Sequence, residues 1–392
     1  MRRAEAVGRL VRATGDIAIK VTWADAVLSA VSRVDTDPAT LPVIAPGLVD
    51  LQVNGYAGLD VNAESITIET VIELSDVLAR LGITTWLPTV ITAPEPRIVE
   101  ALRTVAKARA IDPIVANAVP SVHVEGPFIS DRQGPRGVHD ASAVRPLDPD
   151  EVSRWLRSGP VGIVTVSPHG EHAPARIREL IRMGLTVAIG HTHADPDEVR
   201  AAVDAGATLS THLGNGIATT LPRHPNIIWR QLADDRLSAG LIADGHHLPF
   251  DTLEVMLRAK GVERAFLVSD ATEIGGRPPG RYRTAVGSLV ELGPDQRLAE
   301  VGSDLLAGAA ATLLDGVRNV ATMTSCTLAD AIAMATRNPA ALAPGVRPGV
   351  GELRVGGPAD LVLLDDTASG LELLDVVQSG RWVPRIPTNS VR

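Results

Sequence analysis

From about residue 46 onward, short β-rich runs alternate with helix-length amphipathic runs. This alternation limits the chain to architectures in which parallel strands are covered by helices. The spacing predicts strands over 48–53, 83–90, 118–124, 162–166, 186–189, 208–211, 238–243 and 265–268. Between them, 69–81, 97–110, 175–183 and 252–259 carry apolar residues at three- and four-residue spacing, as helices that bury one face do. The pentapeptide Asp-Pro-Asp-Glu-Val occurs at both 148–152 and 195–199, and each copy reads as a helix start with Asp as N-cap, Pro at the first position and Glu at the third. Eight strand–helix units in about 300 residues predict an α/β protein built on a (β/α)8 TIM barrel, with an open doubly wound sheet as the alternative. The barrel is expected over 46–345. The flanks, 1–45 and 346–392, hold short β runs at 17–21, 360–364 and 381–383 with Gly and Pro between them, and read as two halves of one small β-sandwich domain.

Composition removes several classes of function. The 392 residues carry 37 basic against 46 acidic side chains, a net charge of −9, so no global positive field exists to hold nucleic acid or an anionic membrane. The single cysteine, Cys326, has no partner for an internal disulfide, and no apolar run approaches the ~18 residues of a membrane span. The N-terminus leads into no apolar stretch of the signal-peptide kind, and a cytoplasmic protein is expected. Two scarcities bear on chemistry. Aromatic residues are 3%, and lysine occurs three times, as Lys20, Lys107 and Lys260.

In the barrel reading, polar residues collect just after strands. Glu125 follows Val122-His123-Val124, His191 follows Val187-Ala188-Ile189-Gly190, His212 follows Leu209-Ser210-Thr211, and Asp270 follows Phe266-Leu267-Val268-Ser269. Such ends share one rim, where side chains from different strands converge over the barrel mouth. One carboxylate and two imidazoles from strands 3, 5 and 6 suit Zn²⁺ or a similar ion with a position open to water. Asp270 beside them suits a general base that takes a proton from water and returns it to a leaving amine. Any one of these histidines alone reads equally well as a hydrogen-bonded core or surface residue; four matched strand ends together point to a site.

At these residues the chain resembles the amidohydrolase superfamily, and within it the N-acetylglucosamine-6-phosphate deacetylases. The resemblance rests on Pro46-Gly47-Leu48-Val49-Asp50-Leu51-Gln52-Val53-Asn54-Gly55, His123-Val124-Glu125-Gly126-Pro127-Phe128, Gly190-His191-Thr192, Thr211-His212-Leu213, Ala243-Asp244-Gly245-His246-His247 and Ser269-Asp270-Ala271. It continues through Leu306-Ala307-Gly308, Gly316-Val317-Arg318-Asn319 and Asn338-Pro339-Ala340. It implies a hydrolase that deacetylates an N-acetyl amino sugar, N-acetylglucosamine 6-phosphate first, to glucosamine 6-phosphate and acetate. By the same resemblance Glu125, His191 and His212 would be metal ligands and Asp270 the catalytic acid and base. His139 would contact the sugar or help polarise the scissile carbonyl. Asn215, Gly216, Arg223 and His247 would bind the substrate's phosphate end, with Arg223 reaching in from a neighbouring subunit of a homodimer. Ala307 and Gly308 would line the acyl pocket.

Related two-metal enzymes use a His-x-His pair on strand 1 and a carboxylated lysine on strand 4. Here the pair is Gln52-x-Asn54 and no lysine falls at a strand end on the barrel rim, so one divalent metal is expected, zinc first, with Fe, Co or Mn also suited to the ligand set. Gln52 would be at most a weak ligand of a second site. The chain departs from the family where Leu-aromatic-Asn-Ala-Met usually follows the second metal histidine and Leu213-Gly214-Asn215-Gly216-Ile217 stands instead. That departure leaves an unphosphorylated or different N-acyl amino sugar as an alternative substrate. A non-catalytic barrel that binds a sugar phosphate is a third reading. Segment 275–282 reads as a loop over the rim that could serve as a lid, and His169 as a support of the site rather than a ligand.

Overall fold

In a computed structural model, which describes residues 3–284, 287–303, 305–367 and 370–384, eight strands run in one parallel sheet. They are β1 (Leu48–Val53), β2 (Ile83–Ile91), β3 (Val122–Glu125), β4 (Val161–Val166), β5 (Thr186–Ile189), β6 (Leu209–Ser210), β7 (Ser238–Leu241) and β8 (Ala265–Leu267), each paired with the next in the sequence. The two ends of the sheet meet. Val53 bridges Ala271 in parallel, the Asp270 amide donates to the Gln52 carbonyl at 2.9 Å, and the buried Asp50 carboxylate accepts from the Ser269 amide at 3.2 Å. The sheet is therefore a closed barrel, and the doubly wound alternative is excluded.

Inward-facing Val49, Leu51, Leu87, Ile163, Ala188, Leu209, Ile242 and Phe266 fill the barrel. Helices cover its outside by the periodicity read from the sequence: in Ile68–Arg80, Val71, Leu74, Ser75, Leu78 and Ala79 are buried, and Thr67 caps the start by accepting from the Thr70 amide. Both Asp-Pro-Asp-Glu-Val copies start helices, Pro149–Leu156 and Pro196–Asp204. At the second, Asp195 and Glu198 close a reciprocal capping box; at the first, Glu151 is drawn away to a bidentate pair with Arg145. The third strand is shorter than predicted. It starts at Val122 rather than at residue 118, which ends a helix over Pro113–Ala118 that Asp112 caps by accepting from the amides of Ile114 and Val115, with Pro113 at its first position.

The expected sandwich halves are strands of one continuous seven-stranded sheet, in the order Arg381–Trp382, Gly370–Gln378, Leu361–Thr367, Val43–Pro46, Arg3–Leu10, Ile17–Ala24, Val27–Arg33. Val43–Pro46 lies between strands from the two ends of the chain and leads directly into β1. Ile19, Val21, Trp23, Leu28, Ile44, Leu361 and Val377 form the core of this sheet. One element was not anticipated: a three-stranded antiparallel sheet, Gly280–Arg283, Leu289–Leu292 and Leu298–Glu300, follows β8. The segment read as a lid loop is its approach and first strand. Val290, Leu292 and Leu298 pack it against Ile274, Ala307 and Ala310. No helix among the described residues is long and apolar enough to cross a membrane.

Candidate active site

Four buried side chains meet at the C-terminal rim. Glu125 ends β3, His191 and His212 follow β5 and β6, and His139 comes from the loop after β3. Glu125 Oε1 lies 3.0 Å from His212 Nε2 and 3.2 Å from His191 Nε2; His191 Nε2 is in turn 3.1 Å from His212 Nε2 and 3.2 Å from His139 Nε2. Gln52 donates to the same Glu125 oxygen at 3.0 Å. Ligands around a tetrahedral zinc-sized ion at ~2.0–2.1 Å stand about 3.3 Å apart, so one carboxylate oxygen and these imidazole nitrogens suit a divalent cation. Other contacts orient the rings. His191 Nδ1 donates to the Pro135 carbonyl at 2.9 Å, and His139 Nδ1 lies 2.8 Å from Thr92 Oγ1, which leaves each Nε2 turned to the cluster.

Two of these residues, and Asp270 after β8, sit in left-handed backbone: His191 at φ 45°, His212 at 27° and Asp270 at 50°. Each costs on the order of 1–3 kcal/mol for a non-glycine residue and persists because its surroundings hold it. The His191 carbonyl accepts from the Ser130 amide, Leu213 next to His212 donates to Gly240, and the Asp270 carbonyl accepts from Ala309. Gly216 passes so close to His191 that a Cβ there would lie 2.8 Å from its Nδ1, which is why glycine follows Asn215.

Burial dominates the electrostatics and the charges then sort the groups. Burial raises the Glu125 carboxyl, yet His191 and His212 more than reverse this and hold it well below the usual range. Burial opposes charge on His212, and Glu125 overcomes that, pushing the imidazole up to about 9. The cluster thus attracts positive charge, proton or metal ion. Asp270 behaves oppositely: burial, then the negative charge of Glu125, push it up to about 6, while Asn54 donates to its Oδ1 at 2.9 Å. His139, buried and beside His191, is pushed down to about 3 and stays neutral.

A cavity of about 480 Å³ opens over this cluster. Of the residues singled out in the sequence, Glu125, His139, His191, His212, Asp270, Asn215, Gly216, His247, Ala307 and Gly308 all line it. Arg223 does not; it is exposed on the loop after β6. His247 is steadied by Asp244, whose Oδ2 is 2.7 Å from Nδ1, and the Asn215 amide nitrogen is buried without a partner. None of the three lysines lines the cavity, and neither does any Phe, Tyr or Trp. His169 lies outside it, with Nδ1 2.7 Å from Ser167 Oγ and its ring against His193. The sequence reading missed Thr92, Asp60, Glu273, Val138 and Leu305, which come from loops after β1, β2, β3 and β8. Only Thr92, just past a strand end, stood where a rim residue could have been sought.

Residues 43–383 match the amidohydrolase family. The N-acetylgalactosamine-6-phosphate deacetylase of Shewanella sp. (strain ANA-3) is 34% identical over 329 residues, 83% of this chain and 80% of that one. The N-acetylglucosamine-6-phosphate deacetylase of Danio rerio is 32% identical over 335 residues, 83% of this chain and 81% of that one. A mutant N-acetyl-D-glucosamine-6-phosphate deacetylase of Mycobacterium smegmatis, solved with N-acetyl-D-glucosamine-6-phosphate, superposes with a TM-score of 0.86 at 26% identity, covering 98% of this chain and all of that one.

Proposed function

The chain belongs to the amidohydrolase family, and we propose that it hydrolyses the acetamide of an N-acetyl amino sugar 6-phosphate, N-acetylglucosamine 6-phosphate first, with residues 46–345 as the catalytic barrel and 1–45 with 346–392 as its companion. The observation that carries this is the gathering of His191 and His212 on Glu125 with Asp270 in the same cavity. Glu125, His191 and His212 would hold one divalent cation, zinc by the nitrogen and oxygen donor set, and His139, which groups with Glu125 and His191, lies close enough to join them. When bound, that ion supplies Lewis acidity to the amide carbonyl and to water. Asp270, fixed by Asn54, accepts the proton of the attacking water at its carboxylate and delivers it to the departing sugar nitrogen, so acetate and a free amine result. Asn215, Gly216 and His247, which line the cavity, bind the phosphate end of the substrate, and Ala307 and Gly308 bound the space for the acetyl group.

One further observation bears on the phosphate. Among the described residues of a single chain the cavity is lined by the carboxylates of Asp60, Glu125, Asp270 and Glu273 and by no lysine or arginine. A phosphate monoester of charge about −1.5 to −2 normally needs arginine or several backbone N–H donors. Arg223, exposed at the mouth of the barrel, meets that need if it enters the cavity of a second copy in a homodimer. The same carboxylates favour a second reading, an unphosphorylated N-acyl amino sugar. Acetate release from N-acetylglucosamine and N-acetylgalactosamine, each with and without 6-phosphate, tests both: rates at least tenfold higher on the phosphorylated forms are expected, and equal rates reject phosphate recognition.

A further inference from the structure

One buried imidazole of the barrel takes no part in the cluster. His123 lies two residues before Glu125 on β3 and so projects from the same face of the strand, one step deeper in the barrel. Its Nδ1 is 3.1 Å from the Leu51 carbonyl and its Nε2 2.7 Å from Thr165 Oγ1 on β4, which is in turn 2.7 Å from Thr211 Oγ1. Chemistry fixes the direction of these bonds. A carbonyl only accepts, so Nδ1 carries the proton. Burial disfavours the imidazolium, so Nε2 accepts from the Thr165 hydroxyl, and Thr165, its hydrogen given, accepts from Thr211.

This chain of bonds joins strands that the sheet does not pair: β2 separates β1 from β3, and β5 separates β4 from β6. The backbone accommodates both crossings. Between the pairs Asp50–Trp86 and Val53–Pro88, β1 carries one residue more than β2, and the Leu51 carbonyl that accepts from His123 lies in that bulge. Just after β5 stands Gly190, where a Cβ would lie 2.8 Å from both Thr165 Cγ2 and Thr211 Cβ. Each of these positions adjoins the cluster: Leu51 precedes Gln52, Gly190 precedes His191 and Thr211 precedes His212. Burying two hydroxyls and an imidazole costs more than burying apolar groups of the same size, so packing alone does not account for them.

We propose that the chain Thr211–Thr165–His123–Leu51 braces the floor of the cation site, with His123 and Thr165 as positioning residues that set the spacing of Glu125 and His212. None of the four lines the cavity over the cluster, so they act through the residues that do. The inference rests on the reading of the cluster as a metal centre.

Thr165 allows brace and packing to be told apart, because its hydroxyl and its methyl can be removed one at a time. Thr165→Val keeps the volume and loses both hydrogen bonds; Thr165→Ser loses the methyl and keeps both. The measurement is zinc retention by the full-length protein against a graded chelator, with elemental analysis of the native chain. Expected are about one equivalent in the native chain, retention about tenfold weaker or more in Thr165→Val, and native retention in Thr165→Ser. Native retention in Thr165→Val, or equal weakening in both variants, overturns the brace and leaves the metal centre standing. A native chain that binds no zinc overturns the metal centre, and the brace with it. If Thr165→Val does not fold, ¹⁵N NMR of the native His123 ring decides: a proton on Nδ1 alone is expected, and a proton on Nε2 overturns the brace.

Discussion

Two groups of histidines lie a few residues apart on the same rim and are built differently. His139, His191 and His212 meet edge to face, with ring centroids 4.3 and 4.8 Å apart at 63° and 88°, and their Nε2 atoms crowd around Glu125. His169 and His193 lie 4.3 Å apart, tilted at 32°, and each uses Nδ1 on a serine hydroxyl, Ser167 and Ser130. His191 and His193 are two residues apart, yet only the first points into the cavity. The difference lies in the partner. A buried carboxylate gathers imidazole nitrogens into a cation site, whereas hydroxyls on half-exposed rings leave them as packing.

The comparison can be broken most severely at Asp270. Asp270→Asn suits left-handed backbone, so it keeps fold and metal while kcat falls by about 10³ or more; acetate release beside elemental analysis checks this, and near-native turnover would remove Asp270 from the chemistry. Glu125→Gln takes away the charge that gathers the imidazoles, and metal affinity is expected to drop about 100-fold or more by chelator competition. Arg223→Ala should raise KM for a 6-phosphorylated substrate about tenfold while KM for its unphosphorylated form stays put; parallel changes in both would end the phosphate role.

Two smaller effects sharpen the contrast. As a base Asp270 must be ionised, so kcat/KM should fall as pH drops through a limb at or below about 6, the bound ion pulling it downward. In chelated protein the sign for stability is set by the same group. Its folded pKa lies above the unfolded value, so the ionised form is penalised above pH 6, and Asp270→Asn should raise Tm at pH 8 with the gain fading toward pH 4. Smallest of all, His193→Ala should leave one equivalent of metal and activity within about threefold of native; loss of the metal would show that the tilted pair belongs to the centre after all.

Much of this was legible beforehand because it depends on local pattern. The barrel strands follow from β-rich runs, the helices from 3.6-residue periodicity, and Glu125, His191, His212 and Asp270 from their place just past strands. What was not legible comes from contacts between distant segments. Thr92 was invisible as the partner of His139 because 47 residues separate them. The three-stranded sheet after β8 was hidden because residues 275–282 carry turn chemistry while its apolar residues pack against Ile274, Val138 and residues past 300.

The sequence by itself determined the barrel, the residues brought to its mouth, and, through the scarcity of lysine, the absence of a lysine carbamate from the site. Those are consequences of periodicity and residue type, which act along the chain. Only the tertiary structure decided that His139 joins the cluster, that Asn54 holds Asp270, and that the described residues lining the cavity of one chain include carboxylates but no lysine or arginine. These depend on how loops from separate strands cross over the rim, and on burial, which shifts Asp270 and Glu125 in opposite directions although both are acids at strand ends.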